Sequence, residues 1–192
     1  MSGTYPTTPE FRAINVTSKH KNLYSETISG RRQARAIGGQ RWEFTAQYNP
    51  MTRAEFQPVF AFVVSQQGRL DSFTIVPPVL GSTSGSATGT LNANGAHSIG
   101  DSTISVDGIT GDLKAGDFVK FADHSKVYML TADRDGSGTM SIEPALVEAV
   151  DDDEVITYSD VPFTMKLLRD TQEYSLSANE YFTYEIDMSE VL

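Results

Sequence analysis

The sequence predicts a mainly β protein with one principal α-helix, an α+β chain in which a split, sandwich- or barrel-like β core carries an inserted small β-barrel module. Three observations predict it. Apolar and polar residues alternate over 41–48, 161–167 and 182–188, the period-two signature of half-buried strands. One helical period runs from Phe56 to Val63. From residue 98 to 159, short apolar runs recur about every ten residues between Gly, Asp and Asn turns, the spacing of a small barrel or sandwich.

Taken in order, Arg41–Tyr48 places Trp42, Phe44, Ala46 and Tyr48 on one face and polar side chains on the other. The preceding Gly38-Gly39 is a two-glycine hairpin signal, with residues 31–37 as the predicted partner strand and their arginines left for solvent or another subunit. Thr52 and Glu55 stand at capping-box spacing ahead of Phe56, Val59, Phe60 and Val63, and Gly68 ends the helix. Pro58 is expected to bend that helix or delay its start by a turn. A strand over Phe73–Val76 closes at Pro77-Pro78. The run Gly81-Ser-Thr-Ser-Gly-Ser-Ala-Thr-Gly89, with Asn92, Asn94 and Gly95 beyond it, reads as a flexible linker over 81–97.

The inserted module then spans 98–159, with strands at Thr103–Val106, Phe118–Phe121, Val127–Leu130, Thr139–Ile142 and Val155–Tyr158. Past Asp160 the strands lengthen. Val161, Phe163, Met165 and Leu167 share one face, as do Phe182, Tyr184, Ile186 and Met188, and both runs match the Trp42 strand better than the module. The chain is therefore expected to return to its first sheet, so that 1–80 and 160–192 form one split core domain.

Its 192 residues, 39% hydrophobic, have the composition of a soluble globular chain, large enough to bury a core without disulfides or structural metal. The absence of cysteine excludes a Cys-based zinc site and a thiol nucleophile. No apolar stretch approaches about eighteen residues, and the start has neither a basic nor an apolar leader region, so membrane-spanning and secretory readings fall away.

The net charge of −10 is unevenly spread, residues 1–80 summing to +4 and 81–192 to −14. Such polarity suits either two differently solvated modules or docking of one copy's basic face on another's acidic face. Arg31, Arg32, Arg35 and Arg41 on one side, and Asp151, Asp152, Asp153 and Glu154 on the other, are the candidate oligomer-interface residues. A chain this acidic repels phosphates, which disfavours sequence recognition of nucleic acid.

No motif calls for catalysis. Asp133, Asp135, Ser137 and Gly138 fall at calcium-loop positions, but Glu143 misses the twelfth position and the flanks read as strands, so a glycine-rich hairpin turn accounts for them. Asp151–Glu154 reads as a solvated turn and Gly116-Asp117 as turn chemistry entering a strand. His20, His97 and His124 have no nucleophile-elbow or zincin setting. Neither an enzyme, a cofactor nor a metal is expected. Most aromatic rings fall on the apolar strand faces, leaving Tyr5, Tyr24, Tyr174 and Tyr181 as interface candidates, and the polar arm before Phe11 as a segment that would order against a neighbour.

The succession of these features resembles the distal tail protein family of tailed bacteriophages and related minor tail proteins. The residues that carry the resemblance are the 31–48 segment with Trp42-Glu-Phe44, the helix from Thr52 to Gln67, Phe73-Thr-Ile-Val-Pro77, and Ala115-Gly-Asp117. Further along come Val127-Tyr128, Ser141-Ile-Glu-Pro144-Ala-Leu146, Val161-Pro-Phe163-Thr-Met165 and the terminal Tyr184-Glu-Ile186-Asp187. The resemblance implies a split β core that forms a homo-oligomeric ring, commonly a hexamer, in the virion tail, assembled in the host cytoplasm. The ring would join the tail tube protein to a baseplate hub and to tail-fibre or receptor-binding proteins. The alternative is a carbohydrate- or receptor-binding module acting through the insert.

Overall fold

The structure, a computed structural model, describes residues 3–192. It is mainly β with a single α-helix among the described residues. The described chain separates into two compact units, one formed by 3–73 with 165–192 and the other by 74–164.

In the first unit the strands are β1 (Phe11–Lys19), β2 (Asn22–Glu26), β3 (Arg32–Ala36) and β4 (Arg41–Tyr48), followed by α1 (Arg53–Ser65). The short β5 (Phe73–Ile75) leads into the second unit, which holds β6 (Thr88–Ala93), β7 (Thr103–Thr110), β8 (Asp112–Leu113), β9 (Phe118–Phe121), β10 (Tyr128–Leu130), β11 (Arg134–Asp135), β12 (Gly138–Glu143) and β13 (Val155–Thr157). The chain returns through β14 (Phe163–Leu167), β15 (Tyr174–Leu176) and β16 (Phe182–Glu190).

The main sheet runs β1-β4-β16-β14-β5, with β15 paired to β16. Its register follows the apolar pattern: Phe44 lies opposite Val16 on one side and Met188 on the other, and Ala46 opposite Ile14 and Ile186. Cross-strand rows of this kind stabilise a sheet through packing on one face. The face is buried at Trp42, Phe44, Ala46, Tyr48, Tyr184, Ile186 and Met188. Phe56, Val59 and Val63 are the buried residues of α1, and Phe56 stacks on Phe182 with ring centroids 4.6 Å apart.

The helix begins where its capping box requires. The Thr52 N–H and hydroxyl both donate to Glu55 Oε2 at 2.8 Å, and the Phe56 N–H donates to the Thr52 carbonyl at 3.0 Å. Pro58 lies inside the helix without delaying its start. Pro58 has no N–H to donate to the Ala54 carbonyl, and both residues are exposed.

The second unit is a closed barrel in the order β10-β12-β7-β6-β13-β9, which removes the free strand edges of an open sheet. Leu91, Ile104, Val106, Val119, Phe121, Tyr128, Met140, Ile142 and Ile156 fill it. Gly108, at φ +84°, faces the register shift between Gly89 and Asn92, and a Cβ there would meet the Thr90 carbonyl oxygen at 2.2 Å.

Three expectations are corrected. Residues 31–37 do not pair with the Trp42 strand: β3 pairs with β2, and β4 takes β1 as its partner. A bulge between Phe11 and Ala13 breaks the alternation that would have marked β1. The segment 81–97 is not a linker but part of the barrel unit, since β6 buries Leu91 and Ala93 and pairs with β7 and β13. Finally, the arm before Phe11 is tied to its own unit through Tyr5, which is buried against Phe11, Phe62 and Phe73.

Candidate functional site

Strands β2 and β3 form a two-stranded hairpin of their own, and all ten of their residues are exposed. Its turn is closed by backbone bonds from the Thr27 N–H to the Arg31 carbonyl at 3.0 Å and from the Gly30 N–H to the Thr27 carbonyl at 2.8 Å. Arg31 stands at that turn, and Arg32 and Arg35 lie on β3. Arg32 reaches Glu26 across the strand pair at 3.4 Å, an exposed pair that contributes little. Arg31 and Arg35 have no ion pair among the described residues, so three arginines of the candidate set share one solvent-facing arm.

Arg41, the first residue of β4, belongs to a different feature of the same unit. It lines a cleft of about 570 Å³ together with Lys19, Lys21, Arg69 and Lys166. Glu43 offsets part of this charge by accepting from Lys19 Nζ at 2.9 Å. Glu190 also lines the cleft and Arg69 is paired with Asp170, so most of its charge is balanced within the unit.

The acidic four form the turn ahead of β13 in the barrel unit. Glu154 accepts from the Asp123 N–H at 3.0 Å and the Asp151 N–H at 3.3 Å, and Asp152 accepts from the Gly95 N–H at 2.6 Å. Two of these carboxylates therefore hold loops in place, while Asp151 and Asp153 stay exposed.

The other polar motifs are built into the fold. Asp117 is buried and collects the Thr83 hydroxyl, the Ser84 N–H at 2.9 Å, the Ser84 hydroxyl at 2.7 Å and the Lys114 N–H at 2.9 Å. Burial pushes its pKa up, but the bonds from Thr83, Lys114 and Ser84 outweigh that and hold it below the usual carboxylate range. Asp112 is held far below that range by Lys114 first and then by Ser86. These two carboxylates tie the Gly/Ser run to the barrel unit, which is why composition misread that run as loose.

Asp133 of the calcium-like loop accepts from Lys114 Nζ at 3.2 Å and the Ala115 N–H at 2.9 Å. Among the described residues no group of three or more His, Asp or Glu is placed to hold a metal ion. His20 is exposed beside Ser18, His97 Nε2 accepts from the Ser105 N–H at 3.1 Å, and His124 is buried with Nδ1 2.9 Å from the Tyr128 hydroxyl. Of the four tyrosines named as interface candidates, Tyr24, Tyr174 and Tyr181 are exposed; Tyr5 is not, and shares a 2.9 Å hydrogen bond with the Tyr48 hydroxyl.

Sequence reasoning picked out Tyr24 but missed the rest of the apolar part of the arm. Leu23, Tyr24 and Ile37 are largely exposed and Ile28 is fully so. The available signal was an isoleucine set among Thr, Ser and Gly in a turn, where solubility alone would place a polar residue.

The fold and this surface define a two-unit β protein with a basic, apolar-tipped hairpin on its first unit. Comparison with protein-family models and with curated proteins finds no match to either.

Proposed function

We propose that this chain is a structural component of a bacteriophage tail tip or baseplate. It assembles into a homo-oligomeric ring, a hexamer if it follows the family it resembles, that joins the tail tube to the hub and to fibre or receptor-binding proteins. It acts by docking, not by catalysis. The single observation that supports this best is the β2–β3 hairpin. A lone two-stranded hairpin is marginal in water, and this one exposes every strand residue, including leucine and tyrosine, beside unpaired arginines. Such an arm calls for a partner surface.

A chain that is basic over 1–80 and acidic over 81–192 suits a head-to-tail interface, in which two unlike surfaces meet. The alternative, glycan binding through the barrel, lacks an aromatic platform: the exposed tyrosines Tyr24, Tyr174 and Tyr181 all lie in the first unit. Light scattering across a concentration series tests the proposal. A defined oligomer supports it; a monomer at every concentration, with no binding to tail-tube or hub proteins, overturns it.

A further inference from the structure

We infer that the β2–β3 arm of one copy docks its tip, Ile28, into the aromatic groove between α1 and the β15–β16 hairpin of the next copy. The inference rests on the ring reading above and names its contact.

The groove belongs wholly to the first unit and encloses about 970 Å³. One wall is the α1 face bearing Phe56, Phe60 and Ala61, and the other is formed by Tyr174, Leu176 and Phe182. The rings pack against one another, Tyr174 lying 4.8 Å from Phe56 and 5.0 Å from Phe60 between centroids. Even so, Tyr174 and Leu176 remain about half exposed, at 48% and 58%. The groove is thus a preformed apolar slot of the size that admits several side chains.

The arm has the matching shape and chemistry. Five-residue strands make it about 17 Å long, and its hydrogen-bonded turn holds the tip without further ordering, which lowers the entropy cost of docking. Ile28 is fully exposed, so the arm does not lie in its own chain's groove. An apolar side chain at the summit of an ordered turn is suited to a pocket on another molecule.

Charge selects the partner. Residues 21–37 carry four Lys or Arg and one Glu, whereas the returning segment 165–192 carries six acids and two bases, with Asp170 and Asp187 paired to Arg69 and Arg169. Of the two charged residues that line the groove, Arg53 and Glu180, Glu180 is the one with which Arg31 or Arg35 would pair when Ile28 enters. A second copy of this chain supplies both halves, and because the arm and the groove are different surfaces, the contact is heterologous, the type that builds a ring when the rotation closes.

The chain has no cysteine, so introduced thiols are its only ones. The double variant I28C/N179C is oxidised and run on a non-reducing gel, with I28C/D152C as the comparison. A ladder of covalent multimers from I28C/N179C, together with loss of assembly in I28D at unchanged circular dichroism, is the expected result. No ladder from an assembled I28C/N179C protein, or a ladder only from I28C/D152C, overturns the groove assignment and leaves the ring standing. A wild-type protein that is monomeric throughout overturns both.

Discussion

Asp170 lies 101 positions beyond Arg69, yet its Oδ2 accepts from Arg69 Nη2 at 2.9 Å and Nε at 3.2 Å while its Oδ1 accepts from the Arg69 backbone N–H at 3.0 Å. This clamp joins the segment leaving α1 to the segment that follows β14, on either side of the whole barrel excursion. Together with the β4–β16 pairing, it makes the first unit, interrupted in sequence, continuous in space.

Gly68 makes that clamp possible. It lies three residues past the end of α1 at φ +65°, and a Cβ there would stand 2.9 Å from the Asp170 Cα. Gly68→Ala is expected to lower unfolding free energy by about 1–3 kcal/mol, the cost of a non-glycine residue in the left-handed region. A urea titration checks this, and an unchanged midpoint contradicts it.

Asp117 confers acid sensitivity. Its folded-state pKa lies below the unfolded value, so the stabilisation is whole above the ordinary carboxylate range and is lost as pH falls through and below that range. Asp117→Asn is expected to cost about 1–3 kcal/mol at neutral pH, because hydrogen bonds to a buried charge are replaced. The gap to wild type should close in acid. Equal gaps at neutral and acid pH would contradict the assignment.

At the other end of the pH scale the Tyr5, Tyr48 and Tyr184 hydroxyls act. Burial first pushes all three upward, Tyr48 to about 12. The folded state retains these protons longer than the unfolded chain, so stability is whole below about pH 10 and is lost as pH rises toward the folded values. Tyr5→Phe removes one such group and leaves the Tyr48 hydroxyl without this partner. The expected result is about 1 kcal/mol less stability at neutral pH and a shallower alkaline decline in a thermal-melt series.

These residues also show where the amino-acid sequence was legible. Strand Arg41–Tyr48 and strand Phe118–Phe121 were readable to the residue, and the capping box at Thr52 marked the helix although Pro58 left its first turn open. In these segments the side-chain pattern and the local hydrogen bonding agree. β6 was hidden because only Leu91 and Ala93 point inward from a run of Thr, Gly and Asn. The β2–β3 pairing was hidden for the opposite reason: with no residue buried, no alternation marks it. Of the candidate site, the arginines were legible as exposed charges, whereas the groove was not, since its walls come from Phe56, Phe60 and Tyr174, more than a hundred positions apart across the insertion.

The arm's charges should matter to assembly and not to folding. Arg31→Glu with Arg35→Glu is expected to raise the concentration for half-assembly by about tenfold at low salt, with an unchanged melting temperature for the dissociated chain. Added salt should narrow the difference, because exposed charges are screened. Analytical ultracentrifugation reads both effects, and a difference that salt leaves untouched would contradict an electrostatic role.

Negative-stain microscopy of the purified wild-type protein tests the central claim most directly. The account predicts closed rings of uniform diameter that are lost in the Ile28→Asp variant. Wild-type particles the size of a single chain, at concentrations where light scattering also reports a monomer, would contradict it.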